Sequence, residues 1–340
     1  MLVSRELAFA DPEATADAAP RSPTGYFQVG AAYSSDDGLI AMTEIGQPDL
    51  LHTGQGLTLS ADLSKIRQHA VLRHDLPLGG GLALRTELFA RERDYVAFRR
   101  SGVGGTVELS QRLGSATHIF VRYGAERVSL SGRSDPTGIE RRVAEPMPRG
   151  DGASLLTTLG LGVRYDTRDR RWLTGSHLEL VGEVTQPWRD STGAFTRVRA
   201  TAETARTFGR LTFRLHGHAG YVRSHDAMGV PLAERLFDEG NAEVRGYALG
   251  SLGNPLGDNY EAIGRAEVEL AISRKADLAV ALFADAGVRG NLDPMSGPVG
   301  ATLSRSAGVS VILRGLRFDL ALPLDRDRGP QLLFNAGFSF

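Results

Sequence analysis

The chain of 340 residues contains no cysteine. A disulfide framework and a thiolate metal site are therefore excluded. It also lacks any run of about 18 apolar residues, which excludes a transmembrane helix. The net charge is −1, so nothing argues for a nucleic-acid partner. No Gly-x-Ser-x-Gly elbow occurs, and no Ser/His/Asn constellation of a phospholipase stands out. Gly102, Gly104 and Gly105 fall inside an alternating stretch, so they read as kinks that curve a sheet rather than a phosphate cradle. The residues give no reason to expect an enzyme, a cofactor or a catalytic residue. The N-terminus has no long apolar core, although Ala8-Phe9-Ala10 resembles the end of a cleavage site. Residues 1–24 are expected to be a disordered lead, and residues 25–340 one domain.

That domain alternates. In "AVALFADAGV", Val280, Leu282, Ala284, Ala286 and Val288 share one face, and Ala279, Ala281, Phe283, Asp285 and Gly287 share the other. "YEAIGRAEVELAI" opposes Ala262, Gly264, Ala266, Val268 and Leu270 to Glu261, Arg265, Glu267 and Glu269. A period of two with one apolar and one charged face is the pattern of a strand with two unlike surroundings. About sixteen such segments follow one another. A transmembrane β-barrel shows this pattern at a mean hydropathy like that of a soluble protein. A soluble sandwich would need a packed core, and too few large apolar residues are available for one. The expected fold is an all-β, sixteen-stranded antiparallel transmembrane barrel.

The connections sharpen the expectation. Short ones near Gly79, Gly114, Gly209, Arg274 and Gly315 alternate with longer ones at 131–153, 226–259 and 290–302. Outer-membrane barrels have short periplasmic turns and long extracellular loops, which puts 226–259 outside the cell. A connection that long needs a reason. It carries "EVRGYALGSLG", with Val244, Arg245, Gly246 and Tyr247. The chain ends on an aromatic strand, with Phe334, Phe338 and Phe340 on one face.

These segments, with "ALFADAG", "GLRFDLALPL" and "VRYDTRDRRWLTGSHLEL", resemble the barrel of the BamA/TamA superfamily of outer-membrane assembly and translocation proteins (the bacterial surface antigen barrel). The family's Val-Arg-Gly-aromatic signature falls on Val244–Tyr247, and its Phe-x-Asp-x-Gly strand on Phe283, Asp285 and Gly287. A mid-barrel hairpin falls on Tyr165, Asp166, Arg168, Gly175 and Ser176. The resemblance implies that loop 226–259 folds into the lumen and that Arg245 meets Asp285, with Glu267 and Glu269 as further partners. It also implies an openable seam between the first and last strands, and an aromatic C-terminal strand read by the assembly machinery.

The resemblance further implies a Gram-negative outer membrane, lipid contact, and nascent outer-membrane or other envelope proteins as partners. Family members carry periplasmic POTRA modules, for which the roughly 24 residues before the first strand are too few. A passive pore or membrane anchor is one alternative, and the barrel of a patatin-type lipase is another. His216 and His218 share a face but show no third ligand in the sequence, so no metal is expected.

Overall fold

The computed structural model describes residues 25–96, 98–132, 153–168, 174–185, 193–225, 229–273, 277–293, 297–325 and 329–339. The expected lead 1–24 and the terminal Phe340 lie outside them. Sixteen strands follow in chain order: β1 (Tyr26–Ser34), β2 (Gly38–Leu50), β3 (Gln55–Leu63), β4 (Arg67–Gly79), β5 (Leu82–Asp94), β6 (Phe98–Leu113), β7 (Thr117–Gly132) and β8 (Ala153–Asp166). The second half holds β9 (Gly175–Thr185), β10 (Phe195–Phe208), β11 (Leu211–Ser224), β12 (Tyr260–Ser273), β13 (Leu278–Asp293), β14 (Gly297–Leu313), β15 (Leu316–Pro323) and β16 (Gln331–Ser339). Each strand pairs antiparallel with its sequence neighbours, and β1 with β16 closes the barrel. No helix among the described residues is long and apolar enough to cross a membrane.

The burial pattern inverts that of a soluble protein. Val103, Leu161 and Leu282 are 64–65 % exposed, whereas Glu108, Glu126, Asp285 and Asp319 are 2–5 % exposed. Apolar side chains face outward and charged ones face the lumen, as a lipid-embedded barrel requires. The inward carboxylates are held by arginines across neighbouring strands. Arg122 bonds Glu108, Arg164 bonds Glu179 at 2.7 Å, and Arg197 bonds Glu183 at 2.8 Å. Opposite charges on facing positions of adjacent strands support the sheet as apolar pairs would elsewhere.

Two readings of the sequence change. Residues 290–302 are not a long loop, because β13 continues to Asp293 and β14 begins at Gly297. The glycines of β6 do more than curve the sheet. A side chain on Gly102 or Gly104 would collide with Glu126, and one on Gly105 with the backbone of Glu87. Gly102 and Gly104 thus leave the lumenal space that Glu126 occupies, where Arg91 and Arg100 bind it.

The closure is uneven. β6 pairs with β7 along its whole length, and β13 with β14 from Leu278 to Asp293. β1 pairs with β2 throughout, but with β16 only over Gly30–Tyr33 against Ala336–Ser339. The stretch Tyr26–Val29 has no ladder partner on that side among the described residues.

Candidate functional site: the inward loop and its anchors

The connection between β11 and β12 touches residues from much of the barrel. Its described part, 229–259, folds into two short 3₁₀ turns, Leu232–Glu234 and Gly240–Ala242, and a bridge between Leu236 and Asp258. Its side chains reach inward-facing residues of β5, β6, β10, β12 and β13. These contacts tie the segment to inward-facing residues around much of the ring.

Arg245 forms a buried anchor. Its Nε lies 2.7 Å from Asp285 Oδ2, and its Nη2 lies 2.7 Å from Asp285 Oδ1. The Arg245 backbone N–H also donates to Asp285 Oδ2, at 3.1 Å. The remaining Nη1 donates to Glu267 Oε2 at 2.9 Å. The guanidinium carbon lies 3.5 Å from the centre of the Phe283 ring. This is a bidentate charged pair capped by a cation–π contact. Burial alone works against the charged guanidinium. The hydrogen bonds and charge of Asp285 outweigh it, so the Arg245 pKa lies above the ordinary arginine value.

The strand motif has a geometric reason. Phe283, Asp285 and Gly287 are two residues apart, so all three face inward along β13. Phe283 lies under the guanidinium and Asp285 grips it. Gly287 leaves room for Val244, whose Cγ2 would stand 3.0 Å from a Cβ there. Val244 and Tyr247 are fully buried, packed with Leu252 and Ile263. The Tyr247 hydroxyl donates to the Arg305 carbonyl on β14 at 3.0 Å. Gly246 has φ +90°, and a Cβ there would meet Ala321 and Pro323 of β15 at 3.2 Å. Glycine suits that backbone and that space.

Glu269 does not join the anchor; it lies 3.8 Å from Arg214. Glu267 instead links Arg245 to Arg317 of β15, which continues to Asp319. Phe334 packs 4.9 Å from Phe318 and 5.7 Å from Tyr33, across both of its neighbours. Phe338 is placed in β16 opposite Ala31. In the mid-barrel hairpin, Arg168 bonds Asp166 and Glu203. Gly175 has φ +136°, and the backbone of Thr167 and Arg168 fills the space of its missing side chain.

The loop also carries anchors of opposite polarity, which the sequence reading missed. Glu234 accepts from Arg100 of β6 at 3.0 Å and from Arg197 of β10 at 2.9 Å. Glu239 accepts from Arg93 of β5 at 2.7 Å, and Glu243 from Arg289 of β13. Asn241 donates through its backbone and side chain to Asp36, in the β1–β2 turn, at 2.9 Å each. Acids recurring at 234, 239 and 243, with inward arginines on β5, β6, β10 and β13, were the available signal.

With this geometry in view, the comparisons decide the family. The model of the Omp85 superfamily domain matches residues 49–340. The chain belongs to the Omp85 superfamily. Its fold resembles that of BamA from Haemophilus ducreyi lacking POTRA domains 1–3, at 20 % identity and a TM-score of 0.76, covering 93 % of this chain and 70 % of that one. It also resembles CdiB from Escherichia coli, at 16 % identity and a TM-score of 0.61, covering 95 % of this chain and 64 % of that one. CdiB from Acinetobacter baumannii aligns at 14 % identity and a TM-score of 0.58, covering 93 % of this chain and 60 % of that one. This chain thus spans less than two thirds of either CdiB. No curated protein sequence matches it. As an Omp85-superfamily barrel, the protein is placed in the bacterial outer membrane.

Proposed function

We propose that this barrel, in a Gram-negative outer membrane, helps polypeptides insert into or cross the membrane through the β1–β16 seam. The observation that carries this reading is the short ladder at the closure, Gly30–Tyr33 against Ala336–Ser339. Few hydrogen bonds need to break there for the edges to part. The freed β1 edge would then present unpaired N–H and C=O groups to an incoming strand, which is strand addition. The outward apolar face supplies the lipid contact. The loop, held by Arg245 and its acidic anchors on β5, β6, β10 and β13, keeps the lumen in shape while the seam moves. On this reading Arg245 and Asp285 form a structural anchor and do no acid–base chemistry. Nascent outer-membrane proteins or other envelope proteins are the proposed clients.

The absence of native cysteine permits a clean test. Tyr33 and Ala336 are register partners across the seam. Facing antiparallel residues stand close enough for a disulfide. The Y33C/A336C double variant would be reconstituted in vesicles with an unfolded outer-membrane protein. Oxidation should abolish the gain in client insertion, and reduction should restore it. Equal assistance by the oxidised and reduced forms would sink the seam reading. A barrel that gives no assistance in either form, or in wild type, would be a pore or an anchor.

A further inference from the structure

A second cluster on the loop is not explained by anchoring alone. His218 faces inward on β11 and Glu261 inward on β12, while Glu243 comes from the loop. His218 Nε2 lies 3.0 Å from Glu261 Oε1 and 3.9 Å from Glu243 Oε1. The three ligand atoms all lie within 4.8 Å of one another. Ligands around a tetrahedral zinc stand about 3.3 Å apart, so small side-chain movements would complete the set.

The surroundings orient these groups. Arg289 Nη2 reaches both oxygens of Glu243 and lies 2.7 Å from Glu261 Oε2. The Glu239 backbone N–H donates to Glu243 Oε2 at 3.0 Å. Glu261 therefore keeps Oε1 turned to His218, and Glu243 keeps Oε1 nearer to it than Oε2. Gly220, inward on β11, leaves room for both Glu261 and Leu236: a Cβ there would stand 3.2 Å from Glu261 Oε1 and 3.2 Å from Leu236 Cδ1. The Glu261 carboxylate accepts from His218 Nε2, which places the imidazole proton there, while Nδ1 meets no hydrogen-bond partner among the described residues. Two carboxylates and one imidazole face a single guanidinium. His216, two residues away, is not part of this set; its ring bonds Glu203 at 3.2 Å.

We infer that His218, Glu243 and Glu261 form a binding site for a divalent transition-metal ion of the zinc class, which clips the loop to the β11–β12 wall. Imidazole with two carboxylates and an open fourth position suits such an ion. Arg289 would hold the carboxylates from outside. Binding would release the Nε2 proton whenever His218 carries it there.

Cobalt(II) is the probe, because its visible absorption reports tetrahedral coordination. The full chain, refolded in detergent and stripped with a chelator, would be titrated with cobalt and back-titrated with zinc. The expected result is one ion per chain, displaced by zinc, with about tenfold or greater loss of affinity in His218→Ala and Glu261→Gln. His216→Ala should bind as wild type. Two separate lesions are used because either could disturb folding; heat-modifiable migration on gels identifies the folded one. Absence of saturable binding in wild type, or wild-type affinity in a folded His218→Ala or Glu261→Gln barrel, would overturn the proposal.

Discussion

The wall built from β12, β13 and β14 and the seam between β1 and β16 are both antiparallel ladders in one ring, yet they are held very differently. β13 pairs with β14 from Leu278 to Asp293, and its inner face grips Arg245 through Asp285. Among the described residues the seam is paired over Gly30–Tyr33. The loop binds the first region with a bidentate charged pair and a ring contact. It reaches the first hairpin through Asn241 and Asp36. A barrel can thus be rigid where its loop is anchored and loose where it closes, without any change of fold.

Breaking the rigid side should have the largest effect. Arg245→Ala leaves Asp285 buried without its cation, and breaking a buried pair from one side costs about 3–5 kcal/mol. The urea midpoint of the refolded barrel should fall sharply, with loss of the heat-resistant form on gels. Arg245→Lys keeps the charge but not the two-pronged geometry, and should fall between. Glu234→Ala takes one of two carboxylate partners from each of Arg100 and Arg197 at the loop's other end, leaving them Glu126 and Glu183. It should cost about 2–3 kcal/mol, measured in the same unfolding experiment. Gly246→Ala places a Cβ at positive φ against Ala321 and Pro323. It should lower stability by about 1–2 kcal/mol while leaving the pairing of Arg245 in place.

The smallest effect is at the link to the seam hairpin. Burial of Asp36 raises its pKa; Asn241's hydrogen bonds oppose this, and nearby Asp37 and Asp238 add to it. A carboxyl with a raised folded pKa binds its proton more tightly in the native state. Its contribution is complete below the ordinary carboxylate range and is lost as pH rises through the raised value. Asp36→Asn should remove that part of the pH slope in unfolding titrations over the mildly acidic range. An unchanged slope would show that the link carries no such coupling.

The strands were legible because lipid on one side and water or charge on the other write a period of two into each of them. Their ends were less so. β2 runs on through Pro48 to Leu50, β4 through Pro77 to Gly79, and β13 and β14 project to Asp293 and from Gly297. Beyond the lipid no outward apolar face is needed, so the alternation that identifies a strand stops before the hydrogen bonding does. Asp285 was placed inward by alternation, and its pairing with Arg245 came from family resemblance. Glu267 and Glu269 have the same facing and could not be told apart in sequence. Register decides between them, because Glu267 stands opposite Phe283 and Glu269 opposite Ala281, one step nearer the far rim. The Glu234 and Glu239 anchors were harder to read, because they join the loop to Arg93, Arg100 and Arg197 and no local period relates those positions; only the recurring acids marked them.

Amide hydrogen exchange on the membrane-reconstituted barrel tests the contrast most directly. The account predicts that amides of β1 and β16 exchange faster than those of β12–β14, and that Arg245→Ala removes most of the difference by loosening the anchored wall. Equal protection of the two regions in the wild-type barrel would contradict it.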